Sequence, residues 1–222
     1  MLKELIVDGE SVEPTECYSF IGVRDDHSIR AVFEKKPAMC FPDVQEDQWF
    51  YEAVSYVFEN GIMEGTDIGF EPRRTTTRAE LSMMLWRLAG KPTAAATGSF
   101  TDVAEGEWYT EAVCWAASKG IVRGFEDGSF RPNTAITREQ FATMFYRFAE
   151  AMGGDVRVGE DTNILSYNDA SDISSYAVSA VQWACGLGLL RGDDLGNLNP
   201  RSGAIRAETA TIFMRYCELG SE

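Results

Sequence analysis

At 222 residues, with 45% hydrophobic and 25% charged side chains, the chain is long enough for one sizeable folded domain or a few small ones sharing a core. Its 35 acidic and 20 basic residues leave a net charge of −15, a field that repels phosphate backbones and argues against nucleic acid as a partner. The same field repels any acidic polymer, so an anionic ligand requires local cationic pockets instead of a general basic face.

No stretch approaches the roughly 20 apolar residues that cross a bilayer, which argues against membrane insertion. Residues 1–9 lack the basic start, apolar run and small-residue cleavage site of a secretory signal. An exported protein would therefore carry its signal upstream of this chain. In residues 1–36, Leu5-Ile6-Val7 and the run Ser28 to Phe33 predict strands, with Asp8-Gly9 and Arg24-Asp25-Asp26 as turns. This segment reads as the end of a β-rich module.

Beyond it the chain repeats itself three times. The first copy carries Phe41-Pro42-Asp43-Val44, Trp49, Ala53-Val54, Gly61-Ile62, Gly65, Phe70, Pro72 and Thr77-Arg78-Ala79-Glu80. The second carries Phe100-Thr101-Asp102-Val103, Trp108, Ala112-Val113, Gly120-Ile121, Gly124, Phe130, Pro132 and Thr137-Arg138-Glu139-Gln140. The third carries Tyr167-Asn168-Asp169-Ala170, Tyr176, Ala180-Val181, Gly188-Leu189, Gly192, Leu198, Pro200 and Ile205-Arg206-Ala207-Glu208.

Each copy predicts a helix, a loop and a second helix. Ala53, Val54, Val57 and Phe58 fall on one helical face, as do their counterparts from Ala112 and from Ala180. Gly61, Gly120 and Gly188 sit where a left-handed cap ends a helix. Pro72, Pro132 and Pro200 keep the loop from continuing as helix. Thr77 with Glu80, and Thr137 with Gln140, fit a capping box at the start of the second helix. One such helix pair cannot bury its own apolar stripe, whereas three can share a core. The connectors, Gly90 to Ser99 and roughly Gly153 to Ser166, read as surface loops.

Arg78, Arg138 and Arg206 all stand just inside a helix N-terminus, the positive end of the dipole, where a cation is unfavourable by a few tenths of a kcal/mol or more. Three copies of the same unfavourable placement imply an anionic partner. A planar bidentate donor beside free helix amides suits a carboxylate. The alternative is an internal salt bridge. Asp43, Asp102 and Asp169 recur as faithfully, and either pair with these arginines or cap the first helices. An aspartate also suits ligand hydroxyls. Trp49 and Trp108 either stack on an apolar ligand face or pack into the core. Arg123 and Arg191 precede the loop glycines of the last two copies and either add charge to a groove or are plain surface residues. Gly65, Gly124 and Gly192 first serve backbone geometry.

The ordered landmarks aromatic-x-Asp-Val, Trp or Tyr, Gly-Ile, Gly, Phe-x-Pro and Thr-Arg-Ala-Glu resemble the S-layer homology motif, over roughly residues 41–218. The leading segment is similar to the tail of an extracellular bacterial β-repeat that precedes such motifs. The resemblance implies a mainly α fold in which motifs at 41–90, 100–152 and 167–218 form a pseudo-threefold, three-pronged spindle. It further implies non-catalytic anchoring of a surface protein to the bacterial cell wall or S-layer. The implied ligand is a pyruvylated secondary cell-wall polysaccharide, held in grooves between motifs with Arg78, Arg138 and Arg206 as contacts. No cofactor follows from it, and self-association in a surface layer is left open. The second copy departs from the pattern with Thr-Arg-Glu-Gln. The third has Ile205 where Thr would cap, which makes its groove the least secure.

Catalytic chemistry finds little support. His27, the sole histidine, lies outside the repeats, so no Ser–His–Asp or Cys–His site fits within them. Asp193-Asp194-Leu195-Gly196-Asn197 has the look of a calcium loop but lacks its later glutamate. Five cysteines without close spacing argue against a disulfide framework or zinc site, and Cys114 and Cys185 fall in apolar helical patterns. A helical-repeat scaffold for another protein is the competing reading and predicts an exposed apolar groove. A further one makes the chain the anchor of an upstream hydrolase.

Overall fold

The computed structural model describes residues 2–13, 15, 18–33, 41–94, 100–157 and 162–220. These fall into two compact units, Met1–Met39 and Cys40–Glu222.

In the first unit, β1 (Leu2–Val7), β2 (Glu10–Val12) and β3 (Ile29–Phe33) form an antiparallel sheet in the order β2-β1-β3. The expected strands are present, and the short β2 is an addition. Asp8 and Gly9 turn β1 into β2 with φ of 51° and 87°, the pair of left-handed residues that a two-residue hairpin favours. The Asp8 carboxylate accepts the Ser28 amide and meets His27 Nδ1, each at 2.8 Å. That amide, and then His27, hold the Asp8 pKa below the usual carboxylate range.

The second unit is mainly α. Its helices are α1 (Tyr51–Glu59), α2 (Arg78–Leu88), α3 (Thr110–Ser118), α4 (Arg138–Ala151), α5 (Val178–Gly186) and α6 (Arg206–Leu219), with 3-10 turns at Ile164–Ser166 and Ala170–Asp172. The apolar periodicity that predicts each helix is the face it buries: Ala53, Val54 and Val57 in α1, Leu81 and Leu85 in α2, Phe141, Phe145 and Phe148 in α4, Ile212 and Phe213 in α6. Gly61, Gly120 and Gly188 end the first helix of each copy in the left-handed region, at φ of 65°, 71° and 67°. Thr77 and Thr137 form complete capping boxes. In the third copy only half of the box survives: Glu208 accepts the Ile205 amide at 3.2 Å, and Ile205 has no oxygen with which to reciprocate.

The copies are interlocked in a ring. The first helix of each packs against the second helix of the copy before it: α3 on α2, α5 on α4, and α1 on α6. At the ring's centre, Thr76 N–H donates to Ala204 O, Ala204 N–H to Ile136 O, and Ile136 N–H to Thr76 O, at 2.8, 3.0 and 2.9 Å. Aromatic contacts of Phe145 with Phe141, Phe148, Phe213, Tyr216 and Trp183 fill the interior between α4, α5 and α6. Cys114 is buried and Cys185 half-buried, where burial pushes its thiol up to about 11; both are free thiols. Cys17 and Cys40 lie outside the described residues. Among the described residues no helix is long and apolar enough to cross a membrane.

Closure makes the third copy structural for the first. Removing everything after residue 157 strips α1 of α6 and leaves the Arg138 and Glu139 amides without their acceptors, Ser202 O and Pro200 O. The truncated chain is expected to lose cooperative unfolding. A urea transition as steep as that of the intact chain, at the same midpoint, would contradict this.

Candidate functional site

The second helix of each copy begins inside its neighbour. Arg78 N–H and Ala79 N–H donate to Thr134 O and Pro132 O; Arg138 and Glu139 donate to Ser202 O and Pro200 O; Arg206 and Ala207 donate to Arg74 O and Pro72 O, all between 2.9 and 3.1 Å. These first-turn amides are therefore consumed by the protein and are not free for an anion, contrary to the expectation from helix-end chemistry. The three arginines follow the same route. Each is at most 8% exposed. Arg78 Nε donates to Phe130 O (2.8 Å) and Nη2 to Arg123 O (3.1 Å). Arg138 reaches Leu198 O (2.8 Å) and Arg191 O (2.8 Å), and Arg206 reaches Phe70 O (2.7 Å) and Glu64 O (2.6 Å). Two donors of each fork thus tie one copy to the next, and the remaining edge faces a cavity.

The aspartates neither pair with these arginines nor cap the first helices. Asp43 accepts the amides of Phe70 and Glu71, Asp102 those of Phe130 and Arg131, and Asp169 those of Leu198 and Asn199, at 2.6–2.8 Å. Glu71, Arg131 and Asn199 each hold a left-handed φ, of 57°, 59° and 52°. Two successive amides around such a residue form a small anion-binding concavity, and the aspartate is its internal anion. Gly65, Gly124 and Gly192 act through space and not through φ. A Cβ on any of them would run into Phe41, Phe100 or Tyr167, the first aromatic of the same copy.

Trp49 and Trp108 are 66% and 56% exposed, so neither is core. The buried partners are the residues after them, Phe50 and Tyr109. Tyr176 is the third equivalent, 54% exposed, and sequence reasoning left it out of the site. Each aromatic projects into a groove built by the other two copies. Groove one, of about 230 Å³, takes Arg78 from the first copy, Arg123, Gly124, Gln140 and Arg147 from the second, and Tyr176 from the third. Groove two, about 150 Å³, takes Arg138 from the second, Arg191, Glu208 and Arg215 from the third, and Trp49 from the first. A further cavity of about 250 Å³ shares Arg138, Arg191 and Glu208 with it and reaches Gly192 and Asp193. Groove three, about 170 Å³, takes Arg206 from the third, Glu64, Gly65, Glu80 and Arg87 from the first, and Trp108 from the second.

The three grooves differ in charge. In groove three, Glu80 meets Arg206 at 3.3 Å and Arg74, behind it, at 2.6 Å, and Glu64 meets Arg87 at 2.7 Å, so both acids of the groove are already paired with the protein's own cations. Burial opposes ionisation of Glu80, but the Arg74 hydrogen bond, the Thr77 amide and the Arg74 and Arg206 charges hold its pKa below the usual range. In groove two, Arg138 pairs with Glu208 at 2.9 Å, leaving Arg191 and Arg215. In groove one, Gln140 stands where the others have glutamate, and among the described residues no carboxylate pairs with Arg78, Arg123 or Arg147. Burial, and then Arg123, hold the Arg147 pKa below its ordinary value, as burial does for Arg78. The internal-salt-bridge alternative thus describes two of the three arginines. Arg87, Arg147 and Arg215 escaped sequence reasoning, although they share one offset from the marked arginines. Arg123 and Arg191 are exposed at the groove rims. Asp193, the first residue of the calcium-like loop, spends its carboxylate on the Leu195 and Asn197 amides and on Asn199.

The S-layer homology domain model matches residues 41–82, 99–142 and 166–210. An exoglucanase XynX of Acetivibrio thermocellus is 35% identical over 185 residues, 82% of this chain but 17% of its own length. An S-layer protein of Bacillus thuringiensis subsp. finitimus is 30% identical over 177 residues, 79% of this chain and 21% of its own. An amylopullulanase of Thermoanaerobacterium thermosulfurigenes is 34% identical over 180 residues, 80% and 9%. The chain therefore spans about a fifth or less of each of these relatives.

The aspartate clasp has a measurable cost of removal. Asp102→Ala leaves the Phe130 and Arg131 amides without their charged acceptor and is expected to lower stability by about 2–3 kcal/mol, with Asp102→Asn losing less, in urea denaturation. Equal stability of all three proteins would show that the clasp contributes nothing.

Proposed function

The chain belongs to the S-layer homology domain family, and from that premise we propose that it anchors a larger protein to the bacterial cell surface without catalysis, by holding a pyruvylated secondary cell-wall polysaccharide in its inter-motif grooves. The observation that carries this reading is the common build of the grooves: an arginine fork fixed by two backbone carbonyls, further arginines at the rim, and an exposed aromatic ring opposite. A ketal carboxylate meets planar donors whose orientation is already set, so little freedom is lost on binding. The ring offers its face to the apolar C–H surface of a pyranose. Cations confined to grooves answer the long-range repulsion of a chain with net charge −15. Grooves spaced around one body engage a repeating polymer at several points and raise its retention. The ring of backbone hydrogen bonds supports a pseudo-threefold spindle as the form of this anchor. The names of the relatives, carbohydrate-active enzymes and a surface-layer protein, fit an anchor that serves different upstream modules. A protein-binding helical scaffold would line its grooves with apolar side chains alone, whereas these set two or more arginines among theirs.

Replacing the buried arginines with alanine would also unfasten the copies from one another. The cleaner test is Arg123→Ala with Arg191→Ala, because both side chains are exposed and make no hydrogen bond among the described residues. Purified wall sacculi are expected to retain the intact chain, to release it once the ketals are removed, and to bind the double variant at least about tenfold more weakly. Undiminished retention on ketal-free walls would overturn the reading.

A further inference from the structure

The second copy departs from the Arg-Ala-Glu pattern at two adjacent positions, Glu139 and Gln140, and the structure explains both together. At the Gln140 position, the other copies place Glu80 against Arg206 and Glu208 against Arg138. Here the side chain facing Arg78 is an uncharged amide that lines the same cavity. The carboxylate appears one residue earlier. Glu139 is 5% exposed and accepts from Ser174 N–H (2.8 Å), Ser174 Oγ (2.8 Å) and Tyr176 Oη (3.1 Å). It does not line the cavity; it fastens the third copy's turn, and with it the ring of Tyr176, over the groove. The capping role survives the change, since Gln140 Oε1 accepts the Thr137 amide at 3.3 Å as Glu80 accepts that of Thr77. Nothing in the fold therefore requires an acid at position 140. Groove one also continues into a second cavity of about 460 Å³, which shares Arg123, Thr143, Arg147 and Tyr176 and adds Lys119, Tyr146 and one acid, Glu150.

Resting on the reading of the grooves as carboxylate receptors, we propose that they are unequal by construction. Groove one is the principal site for the acidic saccharide, groove two a weaker one, and groove three is closed by its own glutamates. The residue aligned with Gln140 is the selector in each: an amide there leaves the arginine fork to the ligand, and a carboxylate takes it. The second cavity gives groove one room for a further sugar beyond the one bearing the carboxylate.

The test is site-resolved. The Nε–H groups of Arg78, Arg138 and Arg206 each donate to a buried backbone carbonyl, so each reports on its own groove in arginine side-chain NMR spectra of the full chain. The probe is a methyl hexopyranoside carrying a 4,6-pyruvate ketal, with the ketal-free glycoside as control. The Arg78 signal is expected to move at the lowest concentration and the Arg206 signal last or not at all. Gln140→Glu should raise the concentration needed at Arg78 about tenfold or more. Glu80→Gln should bring the Arg206 signal into the titration, a gain that misfolding cannot mimic. Ketal-dependent shifts that are equal in the three grooves, or unmoved by both exchanges, would overturn the inequality while leaving the anchoring reading in place. Absence of any ketal-dependent shift would overturn both.

Discussion

A helix that starts against a neighbour's carbonyls cannot start without that neighbour. This is the constraint on which the repeat unit rests. The first turn of α2, α4 and α6 is completed by the loop of the next copy, and three central amides pass hydrogen bonds around a closed circuit. A buried amide left unpartnered is unfavourable by about 1–3 kcal/mol, so nine such bonds are far more than a single copy can forgo. Folding of the copies is thereby coupled, and the grooves between them become as fixed as the core beneath them.

That coupling determines what the arginines are. Position inside a helix start is unfavourable for a cation, and the chain offsets it in two ways at once. The neighbour's carbonyls take two donors of each guanidinium, and an acid or an open groove takes what remains. Phe130 and Phe70 lie under the Arg78 and Arg206 guanidinium planes at 4.6 Å and add a favourable ring contact. A side chain held at so many points has one orientation to present. The structural role of these arginines and the recognition role proposed for them use two edges of the same planar group.

Much of this was legible in the sequence, and the limits have physical causes. Helix faces, left-handed glycine caps and two capping boxes are encoded within a dozen residues and were read correctly. The partners of Asp43, Asp102 and Asp169 lie 27–30 residues away in the loop, and those of the arginines 45–142 residues away in another copy. Periodicity carries no mark of which copy faces which. Trp49 and Trp108 were ambiguous for a simpler reason: each is followed by another aromatic residue, and only one of two neighbours at a helix entrance can turn inward. The second does so in both cases. The departure at Glu139 and Gln140 was visible as an irregularity, but its meaning needed the turn at Ser174 that only the fold brings to it.

Because every groove draws its fork from one copy, its walls from the next and its aromatic lid from the remaining one, the copies are not three independent modules laid end to end. Exchange of a single copy with that of a related protein would hand each groove one foreign part, and a different part each time. A graft that keeps all three grooves intact must therefore carry the trio as a block, while a point change at the proposed selector position touches one groove at a time.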